Sequence, residues 1–544
     1  MTGEESERGG RIGIVDVGSN AVRLAVFDLG GPEARGLPTV YAERAKVSLF
    51  DAKANAEAAG LAAGTIPQAA VDALTAVFGR FARTCTQFGV AADRTAVLAT
   101  DAVRSATNGE SVLAAARAAF PAGRVAVLEP AIEASLGALG MATSALPWGS
   151  PQPVLAADVG GGSFQVSSVD VTAGAGGAWR TLSVGPGTSL PYGAGRLARL
   201  VDAPSSEREI TTAIAAVLPP GPRPLLLSGG GFRGLGALCL AATPSPVPIV
   251  GGLETTVGGV RAVVAAARTG ELGALNDHFR VSKRRAAQLP GVLMLASALL
   301  DATRAPDSTP VVFCLGGVKE GYAYALAAGV DPLVRAPLPL LDPLLVCTAA
   351  RRPPLADLLT AQLAGVLAGL RAPPYAVRLA GALVNAGYAH AGLPKDTQAA
   401  TALRATTSGA LAGRAHGLID ADRALLAIAL AERHGGDVFG ADRELLGALA
   451  AMRPTHTWWA FVVGRIGGAL LDVYPAGVAD ELLVHVEAAT DGTRDSLVVR
   501  GAADPAVAAV WSSFEALGKL GKQFRKRYGG AGRKVDVQLV SEID

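Results

Sequence analysis

The strongest constraint on the fold is a pattern that occurs twice. In each copy an apolar run ends in Asp-Val-Gly and, after a few small residues, a second run with alternating apolar positions follows. The copies are Arg11–Leu29 (RIGIVDVGSNAVRLAVFDL) and Val154–Val171 (VLAADVGGGSFQVSSVDV). Both predict a strand, a tight turn and a strand. A single turn of this kind is common in ordinary hairpins, but two in matching contexts predict two similar lobes whose turns face one cleft.

Glycine turns of this kind suit a phosphate ligand. Without a Cβ atom, the backbone amides can approach phosphate oxygens closely. The expected phosphate-binding residues of the two turns are Gly18, Ser19, Asn20, Gly160, Gly161, Gly162 and Ser163. Asp16 and Asp158 precede the turns and would repel phosphate directly, so we expect them to hold Mg²⁺ or its waters.

Two later segments repeat the order of strand, glycine turn and helix, at Leu225–Leu238 and Val311–Leu326. The first half of the chain is therefore expected to be α/β. The proline-rich stretch Arg335–Pro343 predicts a linker or domain boundary. Beyond it the pattern is mostly helical, until strand candidates surround a helix over Pro505–Tyr528.

These patterns predict four regions. A first lobe is expected over residues 1–130, with a segment near 311–335 returning to it, and a second lobe over residues 131–335. A helical domain is expected over residues 344–480. A small α+β layer is expected over residues 481–544.

Bulk properties narrow the class of protein. A chain of 544 residues suggests several domains. Its net charge of +2 argues against a broad nucleic-acid surface, and no apolar run approaches the roughly 20 residues that span a bilayer. The four cysteines, Cys85, Cys239, Cys314 and Cys347, form no CxxC pair and predict buried reduced thiols. We therefore expect a cytoplasmic protein without nucleic-acid or membrane partners.

An ordered set of motifs resembles the exopolyphosphatase/guanosine-pentaphosphate-phosphatase (Ppx/GppA) family. In chain order the motifs are Asp16–Asn20 with Arg23, Thr100–Asn108, Glu133-Ala134, Asp158–Ser163, Leu190–Gly193, Arg196-Leu197 and Lys319–Gly321. Within that family the chain is most similar to the fungal retrograde regulation protein 2 group. That likeness rests on residues 189–195 and 284–290, on His416-Gly-Leu and on Asp422-Arg-Ala-Leu-Leu.

The resemblance implies two actin-like, sugar-kinase-like (ribonuclease H-like) lobes around a cleft. It also implies a polyphosphate or nucleotide ligand and attack of water on a terminal phosphoryl group. Glu133 matches the glutamate that activates the water, and Arg23 and Arg104 match arginines that line the phosphate channel. A carboxylate can deprotonate water, and arginines can clamp phosphate oxygens in pairs.

Two departures from the family pattern bear on activity. The second turn is followed by Ser163-Phe164-Gln165, where the family usually has Ser-Thr-Glu. The segment Pro130–Ser135 lacks the second acidic residue and the arginine that usually follow the glutamate. We therefore favour a regulatory sensor that binds phosphate or a nucleotide and signals to a protein partner. An active Mg²⁺-dependent hydrolase and an actin-like chaperone or small-molecule kinase remain alternatives.

The second half of the chain contains no His-Asp dipeptide. A metal-dependent His-Asp centre is therefore not expected after about Pro343, since such a site needs several converging ligands. His434 precedes two glycines and predicts the end of a helix. The basic run Lys519–Arg527 predicts a helix whose charged face is solvated or docks an acidic partner.

Overall fold

The computed structural model describes residues 10–29, 37–145, 152–173, 180–200, 206–273, 281, 283–333, 338–341, 355–390, 393–408, 418–474, 482–502 and 505–541. The chain divides into two compact units. The first comprises Met1–Ala173, Arg180–Pro244 and Val250–Asp342, and the second comprises Gly174–Trp179, Ser245–Ile249 and Pro343–Asp544. Cys347 and His416 lie outside the described residues.

The first unit contains two β-sheets. Strands of the first sheet are β1 (Arg11–Val17), β2 (Val22–Asp28), β3 (Thr39–Ala45), β4 (Thr95–Ala99) and β5 (Arg124–Val127), in the order β3-β2-β1-β4-β5. The chain runs antiparallel from β1 to β3, and β4 and β5 extend the sheet in parallel with β1. Its helices are α1 (Leu49–Ala58), α2 (Gln68–Gln87), α3 (Asp101–Arg104) and α4 (Gly109–Ala119).

The second sheet repeats this order and adds strands at its edges. Its strands are β6 (Val154–Val159), β7 (Phe164–Ala173), β8 (Arg180–Val184), β9 (Thr188–Leu190), β10 (Leu225–Ser228), β11 (Leu253–Thr256), β12 (Pro310–Phe313) and β13 (Leu338–Leu341). The order is β11-β12-β10-β6-β7-β8-β13, with β9 paired to β7. The series β8-β7-β6-β10-β12 therefore matches β3-β2-β1-β4-β5 in order and direction.

This duplication confirms the expected α/β fold with two similar lobes. Helices of the second lobe are α5 (Pro130–Ala145), α6 (Ala194–Leu197), α7 (Ser206–Ala215), α8 (Gly229–Ala242), α9 (Val257–Thr269), α10 (Lys283–Thr303) and α11 (Val318–Ala327). Each sheet packs its own apolar core, one centred on Phe78 and Phe81 and the other on Phe232 and Phe313. The three described cysteines, Cys85, Cys239 and Cys314, are buried and free.

Two boundary expectations differ from the structure. The strand of the segment expected to return to the first lobe, β12, pairs with β10 and β11 in the second sheet, while α11 packs on α5 and on β1. The residues Val311–Phe313 are fully buried, so they need neighbouring strands on both sides. In the expected linker, β13 pairs with β8 and forms the edge strand of the second sheet. Pro339 is tolerated there because an edge strand leaves half of its amides without a partner strand.

Helices α5 and α11 are in close backbone contact. A Cβ atom at Gly140 of α5 would overlap the carbonyl oxygen of Gly317, and one at Gly321 of α11 would overlap that of Leu136. Only glycine permits this approach. The contact matters for function because Glu133 lies at the start of α5 and Lys319 at the start of α11.

Helix α10 contains the stretch Arg285–Thr303, which by length and composition could span a membrane. In an apolar 18-residue window of this stretch 56% of the residues are buried, and Leu289, Leu295 and Leu299 belong to the core of the second sheet. That burial is typical of a core helix.

The second unit is mostly helical. Its helices are α12 (Ala356–Gly369), α13 (Pro374–Ala386), α14 (Lys395–Ala405), α15 (Asp420–Arg433), α16 (Ala441–Met452), α17 (Pro454–Val473), α18 (Pro505–Glu515) and α19 (Leu520–Tyr528). A three-stranded sheet has the order β14 (Val484–Thr490), β15 (Arg494–Gly501) and β16 (Lys534–Ser541). The helical region and the α+β layer expected from the sequence thus form one compact unit.

We predict that Gly140→Ala destabilises the first unit by about 3 kcal/mol or more, because the added methyl group forces two backbones apart. Gly79→Ala is the matched control, since a Cβ there meets only the flexible end of Arg83, at 3.9 Å. That change should be neutral or stabilising by up to about 1 kcal/mol. Urea unfolding of both variants measures the difference. Equal stability of the two variants would contradict the close packing.

Candidate phosphate-binding cleft

The two predicted hairpins have equivalent turns. Asp16 pairs with Arg23 across β1 and β2, and Asp158 pairs with Gln165 across β6 and β7. In each hairpin the first residue of a four-residue loop closes the turn through its amide. The Gly18 amide donates to the carbonyl of Ala21 at 3.2 Å, and the Gly160 amide donates to that of Ser163 at 3.0 Å.

These two turns pack against each other. A Cβ atom on Gly161 would lie 2.7 Å from Nδ2 of Asn20, and one on Gly162 would lie 3.5 Å from Oγ of Ser19. Glycine is therefore required in the second turn because the first turn fills the space. The residue that follows the motif Leu190–Gly193 stabilises the second turn, because the Ala194 amide donates a hydrogen bond to the carbonyl of Gly160 at 2.9 Å.

Both turns line a cavity of about 220 Å³ in the first unit. Two further glycine turns reach it, one at the start of α8 and one before α11. Its polar and glycine lining comprises Asp16, Gly18, Ser19, Asn20, Arg23, Arg44, Thr100, Glu133, Asp158, Gly160, Gly161, Ser163, Gln165, Ser228, Gly229, Gly230, Gly231, Arg233, Arg285, Gln288, Gly317, Lys319 and Glu320. Five cationic side chains thus face four acidic ones.

Three arginines crowd one side of this cavity. Burial and, to a smaller extent, the charge of Arg23 lower the pKa of Arg233 to about 10, against the effect of Glu320 and Asp158. Burial and Arg23 also lower the pKa of Arg285. The guanidinium of Arg233 donates to the carbonyl of Leu315 at 3.2 Å, while its buried Nε has no protein partner. Cations that repel one another in this way are stabilised by an anion.

Two aspartates, Asp16 and Asp158, line the same cavity. Burial raises the pKa of Asp158 to about 6, with a smaller contribution from Asp16, while Arg233, Arg23 and Lys319 oppose the rise. Asp16 is 3.6 Å from Arg23. Gly229, with a φ of 93°, lies so close that a Cβ there would overlap Oδ1 of Asp158.

Glu133 is a buried carboxylate held by Arg104. Burial raises the pKa of Glu133 to about 7, and the charge and hydrogen bond of Arg104 oppose this rise. The guanidinium of Arg104 donates to Oε2 of Glu133 at 2.9 Å and to the carbonyl of Leu128 at 2.6 Å. A carboxylate with a pKa near neutrality is suited to exchange a proton with water.

Gln165 takes the position opposite Asp158. Its Nε2 donates to Oγ of Ser163 at 2.7 Å and to Oγ of Ser189 at 3.0 Å. The side chain is 6% exposed. This amide therefore orders the turn without adding negative charge beside Asp158.

Comparisons with known proteins show the family to which this chain belongs. Residues 26–328 match the Ppx/GppA phosphatase family, and residues 342–543 match the RTG2 C-terminal domain. The chain belongs to the Ppx/GppA family. The resemblance stated from the sequence is thereby confirmed.

Among curated relatives, this Ppx/GppA protein is 30% identical to retrograde regulation protein 2 of Saccharomyces cerevisiae, over 86% of the chain and 81% of that protein. It is 29% identical to exopolyphosphatase 1 of Mycobacterium leprae, over 57% of the chain and 88% of that protein. Among solved structures, it resembles the Aquifex aeolicus Ppx/GppA protein with a TM-score of 0.46 and 20% identity. That likeness covers 58% of this chain and 97% of the other.

Most residues expected from the sequence lie around the cavity, but Arg104 does not line it. We expected this arginine in the phosphate channel, whereas its guanidinium is engaged by Glu133 and Leu128. The reason is its position at the end of the short helix α3, beside the start of α5. Gly162, which we also expected to bind phosphate, does not line the cavity either, and a Cβ atom on it would meet Asp101 and Ser19.

Sequence reasoning missed Arg233, Arg285 and Lys319 as site residues. Each lies in a segment that the sequence had marked: the glycine turn of Leu225–Leu238, residues 284–290, and Lys319–Gly321. For Arg233 and Lys319 the available signal was a cation two residues after a glycine cluster, whereas Arg285 follows no such cluster. Which of these cations face the cavity depends on long-range packing, which no local pattern shows.

Neither unit contains, among the residues that the structure describes, a group of three or more His, Cys, Asp or Glu side chains that could hold a metal. In the second unit the rings of His390 and His434 lie 6.4 Å apart. His434 caps the end of α15, as its position before two glycines predicted.

We predict that Arg104→Gln raises the pKa of Glu133 above about 7, because a cation that favours the ionised form is lost. Arg104→Lys keeps the charge and should leave the pKa closer to that of the wild type. Carbon-13 NMR titration of labelled glutamate carboxyls measures both. An unchanged pKa in Arg104→Gln would show that Arg104 does not act on this carboxylate.

Proposed function

We propose that this protein binds a phosphoanhydride ligand, polyphosphate or a nucleotide, in the cleft of its first unit and acts as a regulator that responds to this ligand. The observation that carries the proposal is the crowding of Arg23, Arg233 and Arg285 around four glycine turns. A chain of phosphate groups offers the many anionic oxygens that such a group of donors needs.

Each part of the cleft has a role in this proposal. Amides of the turns at Gly18–Asn20 and Gly160–Ser163 donate to phosphate oxygens, as nests of backbone amides do elsewhere. Arg233 and Arg285 clamp other oxygens in pairs. Lys319, at the start of α11, adds a point charge where the helix dipole also favours an anion.

Asp16 and Asp158 would hold Mg²⁺ together with the ligand. The structure fits this ion, because burial and the neighbouring Asp16 both disfavour the ionised form of Asp158, and a divalent cation would reverse that. Mg²⁺ is usually held by one or two carboxylates, with waters and substrate phosphates completing its shell. Bound there, it would neutralise charge on the phosphate oxygens.

Regulation is favoured over rapid hydrolysis by the relative that aligns over most of the chain. That relative is named a retrograde regulation protein, and its likeness extends through the second unit. Gln165 supports the same view, because the carboxylate that would draw a metal or a proton there is replaced by an amide. The proposal also includes a protein partner that binds the liganded form of this protein preferentially.

Hydrolysis is the second candidate function, and Glu133 is the observation that favours it. As a buried carboxylate with a pKa of about 7, it would accept a proton from water that attacks the terminal phosphorus. Any turnover that depends on this base should rise as the pH increases through about 7, since only the ionised form accepts the proton.

We predict that Arg233→Met weakens binding of tripolyphosphate to the full chain by about 10- to 100-fold, the effect of losing charged hydrogen bonds. Arg208→Met is the matched control, because Arg208 is exposed on α7 and does not line the cleft. Isothermal titration calorimetry in the presence of Mg²⁺ measures both. Wild-type protein that gives no heat with tripolyphosphate, ATP and guanosine polyphosphates would overturn the proposed function.

We predict that wild-type protein releases little phosphate from polyphosphate and that Gln165→Glu increases the release. The new carboxylate adds negative charge beside Asp158, where a metal would lie, and the hydroxyls of Ser163 and Ser189 can donate to it. Glu133→Gln in that background should remove the gain. The expected gain in the rate of phosphate release is about 10²- to 10⁴-fold, the usual contribution of a positioned base. Phosphate release is followed colorimetrically.

Rapid Mg²⁺-dependent hydrolysis by the wild type would instead establish the enzyme. A folded Gln165→Glu protein that binds ligand but stays inert would assign the defect to the altered segment around Glu133.

A further inference from the structure

The second unit has a cavity of its own, of about 380 Å³. Its wall is built where the start of α14, the end of α15, the middle of α17 and the segment from α18 to α19 meet. The polar residues that matter below are Lys395, Glu432, Arg433, His434, Arg465 and Asp472. Small-molecule sites commonly have this size.

The two acidic residues in this wall are already neutralised. Glu432 is fully buried and forms ion pairs with Arg465 at 2.9 Å and with Arg527 at 2.6 Å; Tyr528 also donates to it, at 2.8 Å. Asp472 pairs with Arg433 at 2.6 Å. Lys395 is exposed at the rim and begins α14, whose cap residue, Pro394, offers no side-chain hydrogen bond. Since arginines balance both acidic residues, the positive charge of Lys395 at the entrance is not balanced by an acidic residue of this wall.

The wall also contains buried polar atoms without a protein hydrogen bond. They are Nε of Arg433 and Nε2 of His434. The Arg433 side chain is only 8% exposed. Burial lowers the pKa of His434 to about 4, and Arg433 adds to this effect, so the imidazole is neutral at physiological pH. Buried polar groups are normally hydrogen-bonded, and an unpaired cluster in one cavity indicates an absent partner.

Nε of Arg233, in the cleft of the first unit, is unpaired in the same way. Arg433, His434 and the rim residue Lys395, which line one cavity, match the same kind of ligand. We propose that this cavity binds a small oxyanion, a metabolite that carries a phosphate or carboxylate group. Its oxygens accept from Nε of Arg433 and from Nε2 of His434 in the tautomer that carries the proton there, and the charge of Lys395 attracts the anion at the entrance.

Binding here would strengthen the attachment of α19 within the second unit. Leu520 and Gln523 of α19 line the cavity, and Arg527 of the same helix is tied to Glu432. A ligand that contacts both α15 and α19 should therefore raise the stability of this unit, as any ligand specific for the folded state does. This inference does not depend on the function proposed for the cleft.

The test uses the full chain with Arg233→Met, which weakens the cleft, and two probes, inorganic phosphate and succinate. Calorimetry and thermal unfolding should detect one site for at least one probe, and the probe that binds identifies phosphate or carboxylate as the recognised group. Lys395→Glu should weaken that binding by about tenfold or more. Ser512→Trp, which places a ring over the cavity from an exposed position, should abolish it.

Lys522→Glu is the matched control, because Lys522 is exposed on α19 but does not line the cavity. It should bind as the parent does. The proposal is overturned if neither anion binds up to about 10 mM. It is equally overturned if Lys395→Glu and Ser512→Trp, both folded by circular dichroism, bind as tightly as the parent.

Discussion

The close backbone contact between α5 and α11 sets the geometry on which the cleft depends. Glycines at 140 and 321 let the two helices meet without side chains between them. Each helix begins at the cleft, so their separation fixes the distance between the carboxylate of Glu133 and the ammonium of Lys319. The same region is locked further by hydrogen bonds, because Ser228 donates to the carbonyl of Gly316 and the Gly316 amide donates to Ser144. A shift of either helix would therefore move both Glu133, the proposed base, and the cations proposed to bind phosphate.

Around this pair, the two lobes present equivalent turns with different chemistry. The first hairpin places Arg23 opposite its aspartate, whereas the second places Gln165 opposite Asp158. The first thus adds a cation to the cavity, and the second adds a neutral amide that orders two serine hydroxyls. Burial then raises the pKa of Asp158 and Glu133 and lowers that of Arg233, so that a bound cation would favour the ionised form of Asp158 and a bound anion would favour that of Arg233. These physical features fit ligand binding more directly than they fit turnover.

The local sequence patterns predicted those structural features that local interactions determine. The hairpins at Asp16 and Asp158 followed from alternating strands joined by small residues, and their convergence followed from the duplication. The end of α15 at His434 followed from the glycines after it. Arg104 was misplaced because its partner, Glu133, is set by packing between distant helices. The roles of Arg233 and Arg285, and the edge strand at residues 338–341, likewise depend on contacts between segments far apart in sequence, which a single chain pattern does not encode.

The most direct test of the account is a crystal structure of the full chain with Mg²⁺ and imidotriphosphate, a triphosphate analogue that resists hydrolysis. The account predicts that the phosphates lie against the turns at Ser19 and Gly161, with Arg233 and Lys319 in contact with their oxygens. An analogue ordered at another surface while this cleft holds only water would contradict it.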